Sequence, residues 1–225
     1  AVDDDIRQEI SDNSGLDAIL EAMDAFPMEA ECQITGCAFL SLVLRNRKIY
    51  RDLVERDVVV LVINALHNHP DNAHLCEEAM NALLPLTRDK RVVETLIKQN
   101  AMEVLVTNMS HFLHEQDTLL RIGDVVRACV EQSPKLHKQF VEAHGVDIAL
   151  DAFRNNNDTP TVLRPMGTVL MGAAIYDEAK QAIVEKDGLK LLCDTLSKYL
   201  NKETRDEMVC QRCLQILSEV SEVTD

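Results

Sequence analysis

The chain has 225 residues and a formal net charge of −15. Phosphate backbones and anionic lipid surfaces attract basic faces, so this charge disfavours nucleic acid and membrane surfaces as partners. Aromatic residues make up only 4% of the chain and tryptophan is absent, which favours a core of interdigitating aliphatic side chains.

The first predicted element is a short helix near Ile6–Ser11, within a segment 1–14 that we expect to cap one end of the fold. After it, four apolar positions spaced i, i+3, i+4 and i+7 recur every 43–44 residues. This spacing predicts one amphipathic helix in each repeat. The five copies are Leu16, Ile19, Leu20, Met23; Val59, Val62, Ile63, Leu66; Met102, Leu105, Val106, Met109; Val146, Ala149, Leu150, Phe153; and Leu189, Leu192, Cys193, Leu196.

A shorter helix is predicted before each of the later tetrads, because a second set of apolar residues recurs there with helical spacing. Sharp junctions near positions 15, 58, 101, 145 and 188 precede the tetrads, with Gly15, Gly145 and Gly188 at three of them. After each tetrad a longer helix is predicted, usually beyond a turn rich in Asn or Pro. We place these third helices at 31–44, 73–88, 118–131, 161–174 and 207–220.

A period of this length with three helices in each copy predicts an all-α, right-handed α-solenoid, organised as one domain over 1–225. The short, medium and long helix order and the glycine junction resemble the armadillo repeat over about residues 15–220. The resemblance implies about five armadillo-type repeats that bind other proteins along a concave groove lined by the third helices.

Armadillo proteins that hold extended peptides carry a tryptophan on the third helix and an asparagine four residues later. The tryptophan positions correspond here to Ala38, Asn81, Val125, Val169 and Arg212, and the asparagine positions to Leu42, Pro85, Cys129, Ala173 and Ile216. Since neither ladder is present, a receptor for nuclear localisation signals of the usual kind is disfavoured. An extra residue in the third copy leaves the register there open by one position.

We predict a partner-binding groove with an apolar centre and charged rims, which suits an amphipathic helix or a hydrophobic segment. The net negative charge favours a partner of basic character. The alternative is that several of the apolar residues face neighbouring repeats and belong to the core. The predicted groove residues are Ala38, Leu42, Arg45, Asn81, Arg88, Val125, Cys129, Val169, Ala173, Arg212 and Ile216.

Two groups of residues could form a metal site or a redox site, but each lacks a feature that such a site requires. His67, His69, His74 and Cys76 surround one turn but lack the paired short spacings of a structural zinc site. Cys210 and Cys213 form C-x-x-C inside a predicted helix, without the βαβ setting of a redox motif. No glycine-rich phosphate loop or nucleophile elbow is present. We therefore predict no catalytic residue, no metal and no cofactor.

Seven cysteines, an odd number at apolar helical positions, favour a reducing compartment over a disulfide framework. No apolar run approaches the roughly 20 residues of a transmembrane helix. We expect a cytoplasmic, non-enzymatic scaffold or adaptor that could tether machinery to an organelle through a segment absent from this sequence. The alternative is a regulatory armadillo domain of a larger signalling protein or enzyme.

Overall fold

The computed structural model describes residues 15–222, so the predicted N-terminal helix near Ile6–Ser11 lies outside the described residues. Every regular element in residues 15–222 is an α-helix. The first seven helices are α1 Gly15–Ala25, α2 Ala30–Val43, α3 Arg47–Glu55, α4 Val58–Asn68, α5 Ala73–Leu86, α6 Lys90–Lys98 and α7 Ala101–His111. The others are α8 Gln116–Gln132, α9 Pro134–Glu142, α10 Gly145–Asn155, α11 Pro160–Ala173, α12 Asp177–Glu185, α13 Gly188–Leu200 and α14 Glu207–Ser221.

The helices follow the predicted repeating order. After the pair α1–α2, four sets of three helices follow: α3–α5, α6–α8, α9–α11 and α12–α14. The middle helices begin at Val58, Ala101, Gly145 and Gly188, which are the predicted junctions. The third helices differ from their predicted bounds by two residues at most. The all-α repeat fold is therefore confirmed.

Polar side chains at the helix starts satisfy the free backbone N–H groups of the first turn. The Asn72 side chain accepts a 2.9 Å hydrogen bond from the backbone N–H of Leu75 at the start of α5. Asp89 accepts a 2.9 Å hydrogen bond from the N–H of Arg91 at the start of α6. These residues explain why the helices begin directly after the polar turns.

The junction between the first and second helix of a repeat depends on a left-handed residue. Asp57, Asn100, His144 and Asp187 have φ values of 51°, 50°, 59° and 55°, and each directly precedes a middle helix. Asn, Asp and His are the residues other than glycine that best tolerate this conformation. The following glycine has a different role, since a Cβ on Gly145 would lie 2.3 Å from the Phe140 ring. The sequence prediction identified the glycine and missed the left-handed residue before it.

The chain divides into two compact units, the first ending at Asn108 and the second beginning at Met109. Within the first unit, α2 packs against α5, and α4 also packs against α5. Within the second unit, α11 packs against both α8 and α14, and α13 packs against α14. Third helices therefore stack on third helices inside each unit. A single domain over 1–225 stays a prediction.

The core lies where the predicted apolar tetrads meet the third helices. Val59, Val62, Ile63 and Leu66 of α4 are at most 3% exposed. The tetrad of α10, Val146, Ala149, Leu150 and Phe153, is equally buried. These side chains hold the second and third helices of a repeat together through apolar burial.

Candidate partner-binding surface

The predicted groove residues of the first unit lie at the surface of α2 and α5 or directly after these helices. Leu42 is 48% exposed, Ala38 is half-buried, and Arg45, Asn81 and Arg88 are exposed. Residues 38, 42 and 45 share one face because they are three to four positions apart, and so do residues 81, 85 and 88. Since α2 packs against α5, these two faces lie side by side.

The predicted groove of the second unit needs a correction. Five residues expected at its apolar centre are almost completely buried, and the core alternative holds for them: Val125, Cys129, Val169, Ala173 and Ile216. Arg212 is half-buried, and its Nη1 donates a 2.9 Å hydrogen bond to Oε1 of Gln215. A partner cannot contact the five core side chains while the helices remain packed.

The reason for the correction is a shift of one residue in the register. Burial repeats with an offset of 43 from α5 to α8, so that Ala79 corresponds to Ile122 and Leu86 to Cys129. The predicted offset of 44 begins only after α8, which is 17 residues long where α5 has 14. The extra residue is accommodated before Ser133, which ends α8 and caps α9.

In the corrected register, the second-unit positions that correspond to the first-unit groove lie one residue before the predicted ones, and one of them, Thr168, is buried. Asp124, Thr168 and Gln211 correspond to Ala38 and Asn81, whereas Ala128, Gly172 and Gln215 correspond to Leu42 and Pro85. A ladder of tryptophan and asparagine is absent from this register too. The described residues therefore lack the side chains that hold extended peptides in armadillo proteins with that ladder.

Several charged side chains of the second unit are paired with one another. Arg127 lies 3.1 Å from Glu131 and 3.7 Å from Asp124 on the same helix. Arg164 of α11 lies 2.6 Å from Asp206 at the start of α14. A partner charge would have to compete with these internal ion pairs.

Two arginines of the first-unit groove, Arg45 and Arg88, differ from Arg56 and Arg91 of the same unit, which do form ion pairs. Neither Arg45 nor Arg88 forms an ion pair or a hydrogen bond with another side chain in residues 15–222. Each follows the last turn of a third helix, where the helix dipole favours a positive charge. Their guanidinium groups are free to bind carboxylates from outside the chain.

An open cavity of about 360 Å³ lies at the surface where α2 meets α5, and it is lined by Ser41, Leu44, Arg45, Asn81 and Pro85. Leu84, on the same side of α5, is 39% exposed. Leu84 is not among the groove residues predicted from the sequence, although its position three residues after Asn81 places both on one helix face. We call the surface formed by Leu42, Arg45, Asn81, Leu84, Pro85 and Arg88 the α2–α5 face.

Burial suppresses the reactivity of three cysteines in the described residues. Burial raises the pKa of the Cys129 thiol to about 12. Burial, and to a smaller extent the nearby Glu78, raises the pKa of Cys37 to about 12. Burial, followed by the neighbouring Cys210 and Cys193, does the same for Cys213. These thiols stay protonated at neutral pH, so they lack the thiolate that redox or nucleophilic chemistry requires.

The described residues contain no group of His, Cys, Asp and Glu side chains able to hold a metal ion. Of the histidine cluster noted in the sequence, Cys76 is fully buried in α5, and a ring nitrogen of His69 lies 3.0 Å from the carbonyl oxygen of Pro27. Within residues 15–222, every helix is too short or too polar to cross a bilayer.

Comparison with known proteins identifies the repeat. The sequence model of the LRRK2 ARM repeat family matches residues 6–129, more than half of the chain. Armadillo repeat-containing protein 6 of Pongo abelii is 20% identical over an alignment 227 residues long. The alignment covers 92% of this chain and 45% of that protein. The chain thus spans less than half the length of this relative.

A crystal structure of an engineered protein resembles the fold with a TM-score of 0.71 at 16% sequence identity, covering 97% of this chain and 84% of that one. This likeness shows the fold alone. The family match explains the helix order and the junctions, and armadillo repeats typically bind other proteins. The chain belongs to the armadillo-repeat family.

Proposed function

We propose that this chain is a non-enzymatic scaffold or adaptor that binds a short apolar, carboxylate-bearing segment of another protein on the α2–α5 face. One observation carries this proposal: two exposed leucines, Leu42 and Leu84, lie beside two arginines that have no carboxylate partner in the described residues. The family supports protein binding in general, and the α2–α5 face supplies the specific surface.

The apolar part of the face supplies the affinity. Leu42 is 48% exposed and Leu84 is 39% exposed. A partner that covered both would therefore bury an exposed surface nearly equal to that of one complete leucine. A fully buried leucine contributes about 1.5–3 kcal/mol relative to an exposed one. The cavity of about 360 Å³ beside Pro85 can receive one further partner side chain.

The charged part of the face selects the partner. Arg45 and Arg88 occupy equivalent positions after α2 and α5. An arginine guanidinium can bind a carboxylate through two parallel hydrogen bonds, which adds geometric specificity. The net charge of −15 favours a basic partner, but the local charge at this face has the opposite sign. We therefore propose that an acidic segment of the partner binds this face, and that basic residues of the partner bind elsewhere on this chain.

Two wider roles extend the proposal. The chain could serve as an adaptor that tethers machinery to an organelle, or it could regulate a larger signalling protein or enzyme of which it forms part. The first role needs an anchor and the second a further domain, and both are tested by the sequence of the complete gene. A cytoplasmic location stays a prediction.

The test is a comparison of captured partners between matched variants. Proximity labelling with the wild-type protein defines its partners, and Leu42→Glu/Leu84→Glu places two charges on the α2–α5 face. Leu214→Glu is the control, because Leu214 is 55% exposed but lies on α14 of the second unit. We expect the double variant to lose partners that the control retains. If both variants retain every partner, the α2–α5 face is not the binding surface.

A further inference from the structure

Helices α3 and α6 of the first unit begin with positive charges at equivalent positions. Arg47 and Lys48 are the first two residues of α3, and Lys90 and Arg91 are the first two residues of α6. Neither helix has an acidic residue in its first turn. Among the described first helices this pair of cations is limited to α3 and α6, because α9 begins with Pro134 and α12 with two acidic residues.

The charges at these positions oppose the helix dipole. The start of a helix carries a partial positive charge, so acidic residues stabilise it and basic residues destabilise it. Helix α12 follows this rule with Asp177 and Glu178 in its first turn. The cations of α3 and α6 therefore do not help these helices to fold, and an anion from outside the chain would offset their repulsion.

Most of these cations are available to a partner. Arg47, Arg51 and Lys90 are exposed, and none of them forms an ion pair or a hydrogen bond with another side chain in residues 15–222. Residues 45–51 and 88–91 together contain seven lysines and arginines and only one acidic residue, Asp89. This local charge is positive although the net charge of the chain is −15.

Helices α3 and α6 are neighbours in the first unit. Nη1 of Arg91 on α6 lies 3.9 Å from Oε1 of Glu55 on α3. Burial and then the nearby Asp89 raise the pKa of the Tyr50 hydroxyl, while Arg91 lowers it, so the start of α6 lies beside α3. The axes of packed helices are about 8–10 Å apart. A single small anion therefore reaches only some of the cations, and a matching ligand carries several negative charges along its length.

We propose that this surface binds a run of several acidic residues in a partner protein. We call it the α3–α6 basic surface, and its residues are Arg47, Lys48, Arg51, Lys90 and Arg91. Successive carboxylates of an extended segment can pair with both helices, and guanidinium groups bind carboxylates through two parallel hydrogen bonds. Because the chain as a whole repels anions, binding depends on this local cluster.

The α3–α6 basic surface is continuous with the charged part of the α2–α5 face. Arg45 lies two residues before Arg47, and Arg88 lies two residues before Lys90. An acidic run could therefore extend the segment proposed for the α2–α5 face. The two surfaces have no residue in common, and the inference does not rest on the proposed function, so either proposal can fail without the other.

The test is a titration of the ¹⁵N-labelled full chain with an N-acetylated hexaglutamate amide, followed by ¹H–¹⁵N chemical-shift changes. The matched hexaglutamine amide is the ligand control, because it has nearly the same shape without the charge. We expect saturable shifts centred on residues 45–51 and 88–91 with hexaglutamate alone. The affinity should fall as salt is added, because salt screens exposed charges.

Two double variants test the location of the site. Arg47→Glu/Lys90→Glu removes two exposed cations without an internal partner, and acidic residues suit a helix start, so we expect an unchanged or higher urea midpoint. Its dissociation constant should rise at least about fivefold, because repulsion replaces two exposed ion pairs. Lys135→Glu/Lys190→Glu changes two exposed lysines of the second unit and alters the net charge equally, so it should bind as the wild type does.

Three results would overturn the proposal. Equal binding of hexaglutamate and hexaglutamine would show that charge does not determine recognition. Equal weakening in both double variants would show that only the net charge matters. Vesicles of phosphatidylserine and phosphatidylcholine form the last arm, and binding to them without binding to hexaglutamate would assign the surface to a membrane instead of a protein segment.

Discussion

Arg164 and Asp206 are 42 residues apart in the sequence and form an ion pair in which Nη2 of the arginine lies 2.6 Å from Oδ2 of the aspartate. The other oxygen of Asp206 accepts a 3.0 Å hydrogen bond from the backbone N–H of Val209 and so caps α14. One carboxylate therefore starts a helix and ties it to the previous repeat.

Other side chains connect neighbouring repeats at nearly the same sequence distance. The Tyr199 hydroxyl donates to the carbonyl oxygen of Asn157 at 2.9 Å, across 42 residues. Nδ2 of Asn156 donates to the carbonyl oxygen of Leu113 at 2.9 Å, across 43 residues. The sequence period thus appears as hydrogen bonds between equivalent parts of successive repeats.

The Arg164–Asp206 pair predicts how stability depends on pH. The hydrogen bond from Arg164, followed by those from the backbone N–H groups of Val209 and Met208, lowers the pKa of Asp206 against the opposing effect of burial. An aspartate with a lowered folded-state pKa stabilises the protein above its unfolded pKa of about 3.9, and this contribution is lost as the pH falls through the lower folded-state value.

We therefore expect Asp206→Asn to lower the free energy of unfolding by about 1 kcal/mol at pH 7. Asparagine caps helices as well as aspartate, and solvent screens the pair because the Arg164 side chain is 42% exposed. Urea denaturation at pH 7 and pH 3 measures the effect. The difference between variant and wild type should shrink at pH 3, and a constant difference would contradict the assigned ion pair.

The apolar tetrads and the first helices should dominate stability. Leu66 and Leu96 are 0% and 1% exposed, and we expect Leu66→Ala or Leu96→Ala to cost about 2–5 kcal/mol, the usual range for a core leucine. Leu200→Ala is the control, because Leu200 is 62% exposed. Chemical denaturation measures all three, and an unchanged midpoint for either core variant would contradict the packing described.

The corrected register of α8 is open to test with two adjacent residues. Cys129 is fully buried, whereas Ala128 is half-buried. We expect Cys129→Glu to unfold the second unit, since it buries an unpaired charge, and Ala128→Glu to retain a cooperative thermal transition. The opposite result would restore the register predicted from the sequence.

Thiol reactivity should separate exposed from buried cysteines. Cys193 is exposed, whereas Cys37, Cys129 and Cys213 are buried and have a pKa of about 12. With a thiol reagent at pH 8, we expect Cys193 to react first and these three to react only as the protein unfolds. Peptide mass spectrometry assigns the labelled residues, and the denatured protein serves as the control. Rapid native labelling of Cys129 would contradict the described packing.

The helices were largely predictable because the same spacing of apolar residues recurs in each repeat. Periodicity located the starts of α4, α7, α10 and α13 at the residues where the structure begins them. Periodicity did not predict burial where the packing of neighbouring helices determines it. In the last tetrad, Leu192 is buried, but Leu189 is 36% exposed and Cys193 is exposed, although all three fit the same apolar pattern.

The surface was harder to predict than the helices because it depends on single-residue register. Counting from α5 to α8 with an offset of 44 instead of 43 moved the predicted groove onto core residues such as Val125 and Val169. The left-handed residues follow from local backbone geometry, which a hydrophobic pattern does not contain.

The central claim is that the α2–α5 face binds the partner, and hydrogen exchange of the complex tests it most directly. The partner captured by proximity labelling is purified and added to the full chain, and amide protection is followed by mass spectrometry. We predict new protection over residues 38–45 and 81–88 and its loss in Leu42→Glu/Leu84→Glu. Protection confined to other helices, with these two segments unchanged, would contradict the claim.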